Sequence, residues 1–250
     1  MEPRLVLLDL DGTLHEHGRA VPGAARAVVE LRRAGHTVRV FTNTDSQSEA
    51  SLVERIRRSG IPVALGEVFT PVVAARRVLP PGARVLALAD RAVRDELAAY
   101  TGPGEVTHVV VGDCRQTLSY ERLDAAFRAV RAGAELLALQ HGPYFRAADG
   151  DHLDTGAIVA ALEFATGRQA RVLGKPSQDF LRLAAHDAPG ELWVAGDDRT
   201  TDIRMAGAAG ATAVLVRTGK YADQQAIGDL PEPTHVIDSI ADLPALLSGA

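Results

Sequence analysis

Leu5-Val6-Leu7-Leu8-Asp9-Leu10-Asp11-Gly12-Thr13-Leu14 is the most informative run in the chain. Residues 5–8 are apolar at every position, not at every second one, as a strand covered on both faces of a parallel sheet requires. Two carboxylates then come at i and i+2. In an extended chain those positions project to the same side, so Asp9 and Asp11 can face one substrate. Gly12 marks where the strand ends and lets the two side chains diverge into separate roles. In open parallel α/β sheets, ligands bind beyond the carboxyl ends of the strands. The pair therefore stands where such a fold does its chemistry.

Short strand-like runs, most of them apolar on both faces, recur at 38–41, 85–88, 108–111, 136–139, 192–195 and 213–216. Between them lie segments with helical periodicity, such as the stripes Leu123, Phe127, Val130 and Ile158, Ala161, Leu162, Ala165. This alternation predicts an α/β fold with a doubly wound, Rossmann-like parallel core. The residues after the other core strands are as polar as those after the first. Thr42-Asn43-Thr44 succeeds the 38–41 run, Lys175 comes after a strand ending at Leu173-Gly174, and Gly196-Asp197-Asp198 with Asp202 comes after Ala195. Carboxylates, small hydroxyl and amide donors and one lysine on a single rim suit a Mg²⁺-assisted reaction at phosphate. The carboxylates would hold the hard cation, and the donors would neutralise phosphoryl oxygens as charge redistributes. A carboxylate at such a site can attack phosphorus, and a second can protonate the leaving oxygen and later activate water.

Two turn clusters, Leu79-Pro80-Pro81-Gly82 and Thr166-Gly167-Arg168-Gln169, predict domain joints. The expected layout is a discontinuous core, 1–82 and 168–250, with an inserted α/β cap domain at 83–167. Spacing agrees: 33 residues separate Asp9 from Thr42, enough for one crossover, and 133 separate Thr42 from Lys175.

Composition narrows the class further. With 250 residues and 46% apolar side chains, a sizeable core is available and wholesale disorder is excluded. A net charge of −5 and the lack of a Lys/Arg cluster argue against nucleic acid and anionic membrane as partners. No apolar run approaches the roughly 18 residues of a membrane span. Cys114 is the sole cysteine, which excludes an intrachain disulfide and a Cys-rich zinc site. With no signal-peptide layout at the start, the expected location is the cytoplasm.

Asp9-Leu-Asp-Gly-Thr-Leu14, Phe41-Thr-Asn43, Gly174-Lys-Pro176 and Gly196-Asp-Asp198 with Asp202-Ile203 resemble, in order, the four motifs of the haloacid dehalogenase-like hydrolases. The resemblance covers most of the chain. It is closest to the type IIA, NagD-like phosphatases, where Val21-Pro-Gly-Ala24 and Arg217-Thr-Gly-Lys-Tyr221 also find counterparts. Within that branch it points to the subgroup of phospholysine phosphohistidine inorganic pyrophosphate phosphatase. The resemblance implies a Mg²⁺-dependent phosphatase acting on a small phosphorylated metabolite through an aspartyl-phosphate. Asp9 would be nucleophile and metal ligand, and Asp11 the acid/base that also gives its main-chain carbonyl to the metal. Thr42, Asn43 and Lys175 would hold the phosphoryl group, Asp197 would complete the protein's metal ligands, and Asp202 would stand behind them near the lysine. Asp198 falls at a variable position and takes no role. The insertion resembles a C2 cap, and pairing of relatives through their caps makes a homodimer an expectation.

Blander readings compete with each signal. Thr42-Asn43 also suits the N-cap of a 46–58 helix, whereas a lysine at a helix start, as at Lys175, is disfavoured by the helix dipole and needs another reason. His15 and His17 flank Glu16 but lack further ligands. His141 and Tyr144 come after a strand where many type IIA relatives carry Asn-Pro-Asp and this chain has Gln140-His141-Gly142, which makes both candidates for facing substrate. Cys114 reads as a passive thiol. The alternatives are a phospho-acceptor signalling module and a non-catalytic protein that keeps the scaffold. A metal-free dehalogenase is disfavoured, because it has no use for Asp11 and Asp197.

Overall fold

The computed structural model describes residues 2–147, 149–188 and 190–249. In chain order the elements are β1 (Arg4–Asp9), β2 (His15–Glu16), β3 (Arg19–Ala20), α1 (Ala24–Arg33), β4 (Thr37–Phe41), α2 (Glu49–Arg58) and β5 (Val68–Phe69). Then come α3 (Pro71–Val78), β6 (Val85–Leu88), α4 (Arg91–Glu96), β7 (His108–Val111), α5 (Tyr120–Arg131), β8 (Glu135–Ala138), β9 (Tyr144–Ala147), β10 (Gly150–Leu153), α6 (Thr155–Thr166) and β11 (Arg171–Val172). The chain finishes with α7 (Gln178–Ala185), β12 (Glu191–Gly196), α8 (Arg204–Ala208), β13 (Thr212–Val216), α9 (Tyr221–Gln224), β14 (His235–Ile237) and α10 (Leu243–Gly249). These fold as two units, one of residues 1–42, 49–69 and 175–250, the other of residues 43–48 and 70–174.

The first unit is built on a six-stranded parallel sheet in the order β14-β13-β12-β1-β4-β5. From β1 the chain winds outward through β4 and β5, then returns to β12 on the other side of β1. The strand order therefore reverses at β1 and β12, and the crevice beyond their carboxyl ends is the place such a sheet offers to a ligand. On one face Val6, Leu8, Val40 and Trp193 pack with Val28 and Leu31 of α1, Ile56 of α2 and Leu247 of α10. Elsewhere in the unit Phe180 of α7 lies against Phe41 and Phe69, with ring centroids 6.3 and 5.2 Å away. Such aromatic contacts fix the position of α7 beyond what its area alone would do.

The second unit has its own four-stranded parallel sheet, β11-β8-β7-β6, and an antiparallel hairpin, β9–β10. Val109, Val111, Leu136 and Ala138 form its core with Val130 of α5 and Val159 and Leu162 of α6. The helix starts follow local chemistry. Thr70 caps α3 by accepting from Val73 N at 3.2 Å, with Pro71 as the first helical residue, and Asp154 caps α6 from Thr155 N at 2.8 Å. Gly167, with φ 66°, ends α6 in the left-handed conformation expected of a C-terminal glycine.

This second unit is wider than the 83–167 expected from the turn clusters. It takes in α3 and residues 43–48, and it runs on to Gly174. The 170–173 strand, expected in the core, pairs instead with β8, in the register Arg171 to Leu137 and Val172 to Ala138. Leu173 N extends that ladder to Ala138 O at 2.8 Å. The helix after Thr42-Asn43 begins only at Glu49, six residues beyond Asn43, so the N-cap reading of that pair does not hold. No described helix is long and apolar enough to cross a membrane.

Candidate active site

Asp9 is the last residue of β1, and its neighbours Leu8 and Leu10 are both fully buried. Beyond it the chain doubles back: Leu14 N and His15 N both donate to Leu10 O, and Gly12 N donates to His15 O at 2.6 Å. The turn runs through Gly12 at φ 99°, where a side chain would also overlap the Asp197 carboxylate. Asp9 is thereby held at 4% exposure, while the Asp11 side chain, two residues on, is 59% exposed.

Lys175 opens the loop before α7, and its ammonium is buried between two carboxylates. Nζ donates to Asp9 Oδ1 at 2.5 Å and to Asp202 Oδ1 at 2.8 Å, and it lies 4.5 Å from the centre of the Phe41 ring. Burial would push this amine toward neutrality, but Asp202 and Asp9 outweigh it and raise its pKa, so it stays charged. Asp202 lies on a π-helical turn, Arg199–Ile203, that brings its carboxylate back against Gly196, where any Cβ would collide with it. Asp197 comes directly after β12, and its Oδ2 accepts from Lys220 N at 2.8 Å.

Oxygens of Asp9, Asp197 and Asp202 lie within 4.8 Å of one another. Burial raises the pKa of both Asp197 and Asp202, with Asp9 adding to each shift. Three buried carboxylates share one buried ammonium, so ionising all of them would leave two negative charges in excess, and among the described residues Asp9 Oδ2 is buried without a hydrogen-bond partner. An oxygen-rich cluster whose carboxylates resist ionisation for want of positive charge fits a hard divalent cation.

Asp198 points away from this cluster. It accepts from Lys220 Nζ at 2.6 Å, Thr200 N and Gln224 Nε2 at 2.8 Å and Thr200 Oγ1 at 2.6 Å. Burial opposes its ionisation, but Lys220 and these donors hold its carboxyl well below the usual carboxylate range. Thr42 comes after β4, is buried, and donates its main-chain N–H to Phe69 O at 3.1 Å. Asn43 begins the second unit, where its Oδ1 is 2.8 Å from the place a Cβ on Gly174 would occupy. Thus Asp9, Asp197, Asp202 and Lys175 converge directly, and Asp11 stands at the rim of the same strand end.

Three neighbours of the site take contacts that the sequence reading did not assign, although Phe41 and Thr218 lie within quoted motifs. Arg55 of α2 places a guanidinium nitrogen 3.7 Å from Asp11 Oδ1. The protein packed around the strand end strips part of the hydration from the half-exposed Asp11 carboxyl and raises its pKa, and Arg55 opposes that shift. Phe41 flanks the Lys175 ammonium, and Thr218 Oγ1 donates to Gly12 O at 2.5 Å. Helical periodicity marks Arg55 only as a surface position, and no spacing rule ties Thr218 to Gly12 across the chain.

The histidines divide. His15 is buried with Nε2 2.6 Å from Ser59 Oγ, whereas His17 occupies the exposed turn between β2 and β3, so the two do not face one site. In the second unit His141 Nε2 is 3.6 Å from Glu163, and Tyr144 is 55% exposed on the hairpin. Cys114 is buried, and its thiol pKa is raised by that burial.

A family model described as haloacid dehalogenase-like hydrolase matches residues 6–101, and a related HAD-hydrolase-like model matches 172–243. The chain is 37% identical over 249 residues to haloacid dehalogenase-like hydrolase domain-containing protein 2 of Rattus norvegicus, covering 95% of each. It is 34% identical over 228 residues to phospholysine phosphohistidine inorganic pyrophosphate phosphatase of Danio rerio, covering 86% of this chain and 83% of that one. Among solved structures, NagD from E. coli K-12 superposes with a TM-score of 0.83 at 26% identity, covering 97% of this chain and 98% of the other. The chain belongs to the haloacid dehalogenase-like hydrolase family, in its type IIA, NagD-like branch.

Proposed function

We propose that this protein is a Mg²⁺-dependent phosphatase that hydrolyses a small phosphorylated metabolite through a phosphoryl group carried on Asp9. One observation carries the reading: Asp9 Oδ2, buried and without a hydrogen-bond partner among the described residues, belongs to a cluster in which oxygens of Asp9, Asp197 and Asp202 lie within 4.8 Å of one another. Asp9, Asp197 and the main-chain carbonyl of Asp11 are the groups assigned to Mg²⁺, and bound there the ion would offset the repulsion between the pocket and an anionic substrate.

In the first half-reaction an Asp9 oxygen bonds to phosphorus as the bond from phosphorus to the leaving oxygen breaks, and Asp11 gives that oxygen its proton. Lys175 and Thr42, with Asn43, are the donors assigned to the phosphoryl oxygens. In the second half, Asp11, now a carboxylate, takes a proton from water as that water attacks phosphorus. Inorganic phosphate leaves, Asp9 is restored as a carboxylate and Asp11 as an acid. The partial exposure of Asp11 suits this exchange with water, and the burial of Asp9 suits a nucleophile that must not be hydrated away from phosphorus. The inserted unit is assigned the role of a cap that selects the substrate. The similarity to the phospholysine phosphohistidine inorganic pyrophosphate phosphatase of Danio rerio supports the reaction class.

A phospho-acceptor module would leave Asp11 without a task. The discriminating experiment is turnover of an aryl phosphate with Mg²⁺. The wild type should turn over repeatedly, EDTA should silence it reversibly, and Asp9→Asn should abolish turnover. A purified Asp9→Asn protein working near the wild-type rate would overturn the covalent mechanism.

A further inference from the structure

Residues 218–220, Thr-Gly-Lys, reach both carboxylate-bearing strand ends of the core. On the β1 side, Thr218 Oγ1 donates to Gly12 O at 2.5 Å and Gly219 N donates to Glu16 Oε1 at 3.2 Å. On the β12 side, Lys220 grips two consecutive aspartates by different means. Its main-chain N–H donates to Asp197 Oδ2 at 2.8 Å, and its ammonium pairs with Asp198 Oδ2 at 2.6 Å. Gly219 adopts φ 60°, and a Cβ there would overlap Asp197 Oδ2 and crowd Gly12 Cα, so the loop lies flat against both arms.

We infer that this loop is a latch that sets the separation of the Asp9 and Asp197 carboxylates, and that Lys220 is a positioning residue for the divalent cation they hold. The argument is one of constraint. A carboxylate that ligates a cation keeps its orientation only if its remaining contacts fix it, and such outer contacts affect metal affinity strongly. Asp197 receives its outer contact from Lys220 N. The place of that N–H depends on where the 218–220 backbone is held, which is the task of the Lys220 ammonium on Asp198 and of the Thr218 hydroxyl on Gly12. The Asp198 carboxylate, which takes no part in the cluster, thereby acquires a purpose: it anchors the latch. Mg²⁺ demands near-ideal geometry at short distances, whereas Ca²⁺ tolerates looser and more varied cages. A loosened latch should therefore damage Mg²⁺ binding more than Ca²⁺ binding, which simple destabilisation of the fold would not do.

This inference rests on the proposed metal-dependent function. The experiment is calorimetric titration of the full chain with MgCl₂ and, separately, CaCl₂, in the absence of substrate. Lys220→Met, which keeps the aliphatic stem and removes the charge, should weaken Mg²⁺ binding by about 10–100-fold, with a smaller loss for Ca²⁺. Lys220→Arg, which can still pair with Asp198, should recover most of the loss. If Lys220→Met does not fold, Thr218→Val carries the same test, since it deletes only the hydroxyl that holds Gly12 O. Unchanged Mg²⁺ affinity in a folded variant, or equal losses for the two ions, would overturn the latch and leave the proposed function standing. A wild-type protein that binds neither ion would overturn both.

Discussion

Replacing Lys175 by methionine keeps the stem against Phe41 and removes only the charge and its donors. The ammonium is buried and makes two charge-assisted hydrogen bonds, to Asp9 and Asp202, which are themselves buried. Removing one partner of a buried ion pair costs about 3–5 kcal/mol, because the remaining charge is left uncompensated. For a chain of this length that corresponds to a fall in melting temperature of roughly 6–20 °C. The sign with pH is set by the carboxylates. Burial and mutual repulsion raise the pKa values of Asp197 and Asp202 above the usual carboxylate range. Without Lys175 to offset it, that repulsion grows and proton uptake becomes the remaining relief. The deficit should therefore be largest near pH 8 and shrink as pH falls toward 5, where the folded variant gains protons that the unfolded chain, with its lower carboxylate pKa, still lacks. Scanning calorimetry of wild type and Lys175→Met in EDTA, at pH 5 and pH 8, measures both quantities. A deficit below about 2 °C at pH 8, or one that grows toward pH 5, would refute the reasoning.

The same geometry carries other expected outcomes. Gly219→Ala places a methyl group on Asp197 Oδ2 at a left-handed position, so it should lose Mg²⁺ affinity and stability together, with a backbone penalty of about 1–2 kcal/mol; calorimetry in the presence and absence of Mg²⁺ separates the two. Asp11→Asn should slow transfer of the phosphoryl group from alkyl phosphates to Asp9 by about 10²–10⁴-fold and from aryl phosphates with acidic leaving groups much less, while hydrolysis of the phosphoryl-enzyme slows alike for both; burst kinetics with the two classes of leaving group read the two steps separately. In the second unit, burial pushes the Asp45 carboxyl up to about 7 despite its hydrogen bond from Thr155 Oγ1. A raised carboxylate pKa adds stability below the ordinary value that is lost as pH rises through 7, so Asp45→Asn should gain on the wild type in melting temperature between pH 5 and pH 8. A constant difference across that range would contradict the assignment.

Much of the architecture was legible because buried parallel strands leave an unmistakable record of contiguous apolar residues, as at 5–8 and 192–195. The polar residues after those two runs mark the carboxyl ends of adjacent central strands, and they bring Asp9 and Asp197 together. Lys175 is more instructive. The strand before it is real, but it belongs to the sheet of the other unit, since periodicity reports that a segment is extended and not which partner it will find. The boundaries were illegible for a related reason. Pro80-Pro81-Gly82 breaks the chain locally, whereas the division of units depends on which surfaces α3 and residues 43–48 bury, a tertiary property. The contacts of Arg55 with Asp11 and of Thr218 with Gly12 were illegible because both act across long sequence separations through single polar contacts, which leave no periodic trace. Asp198, to which the resemblance gives no role, has its carboxylate held by Thr200 and, from farther along the chain, by Lys220 and Gln224.

The central claim is that Asp9 accepts the phosphoryl group, and the most direct measurement is to catch it there. Enzyme turning over an aryl phosphate with Mg²⁺ is quenched in acid, reduced with borohydride and mapped by peptide mass spectrometry. Reduction of an acyl phosphate converts the aspartate to homoserine, so position 9 alone should carry that change, and only when substrate and Mg²⁺ are both present. Modification at another carboxylate, or none at position 9 in enzyme trapped during rapid, burst-phase turnover, would contradict the account.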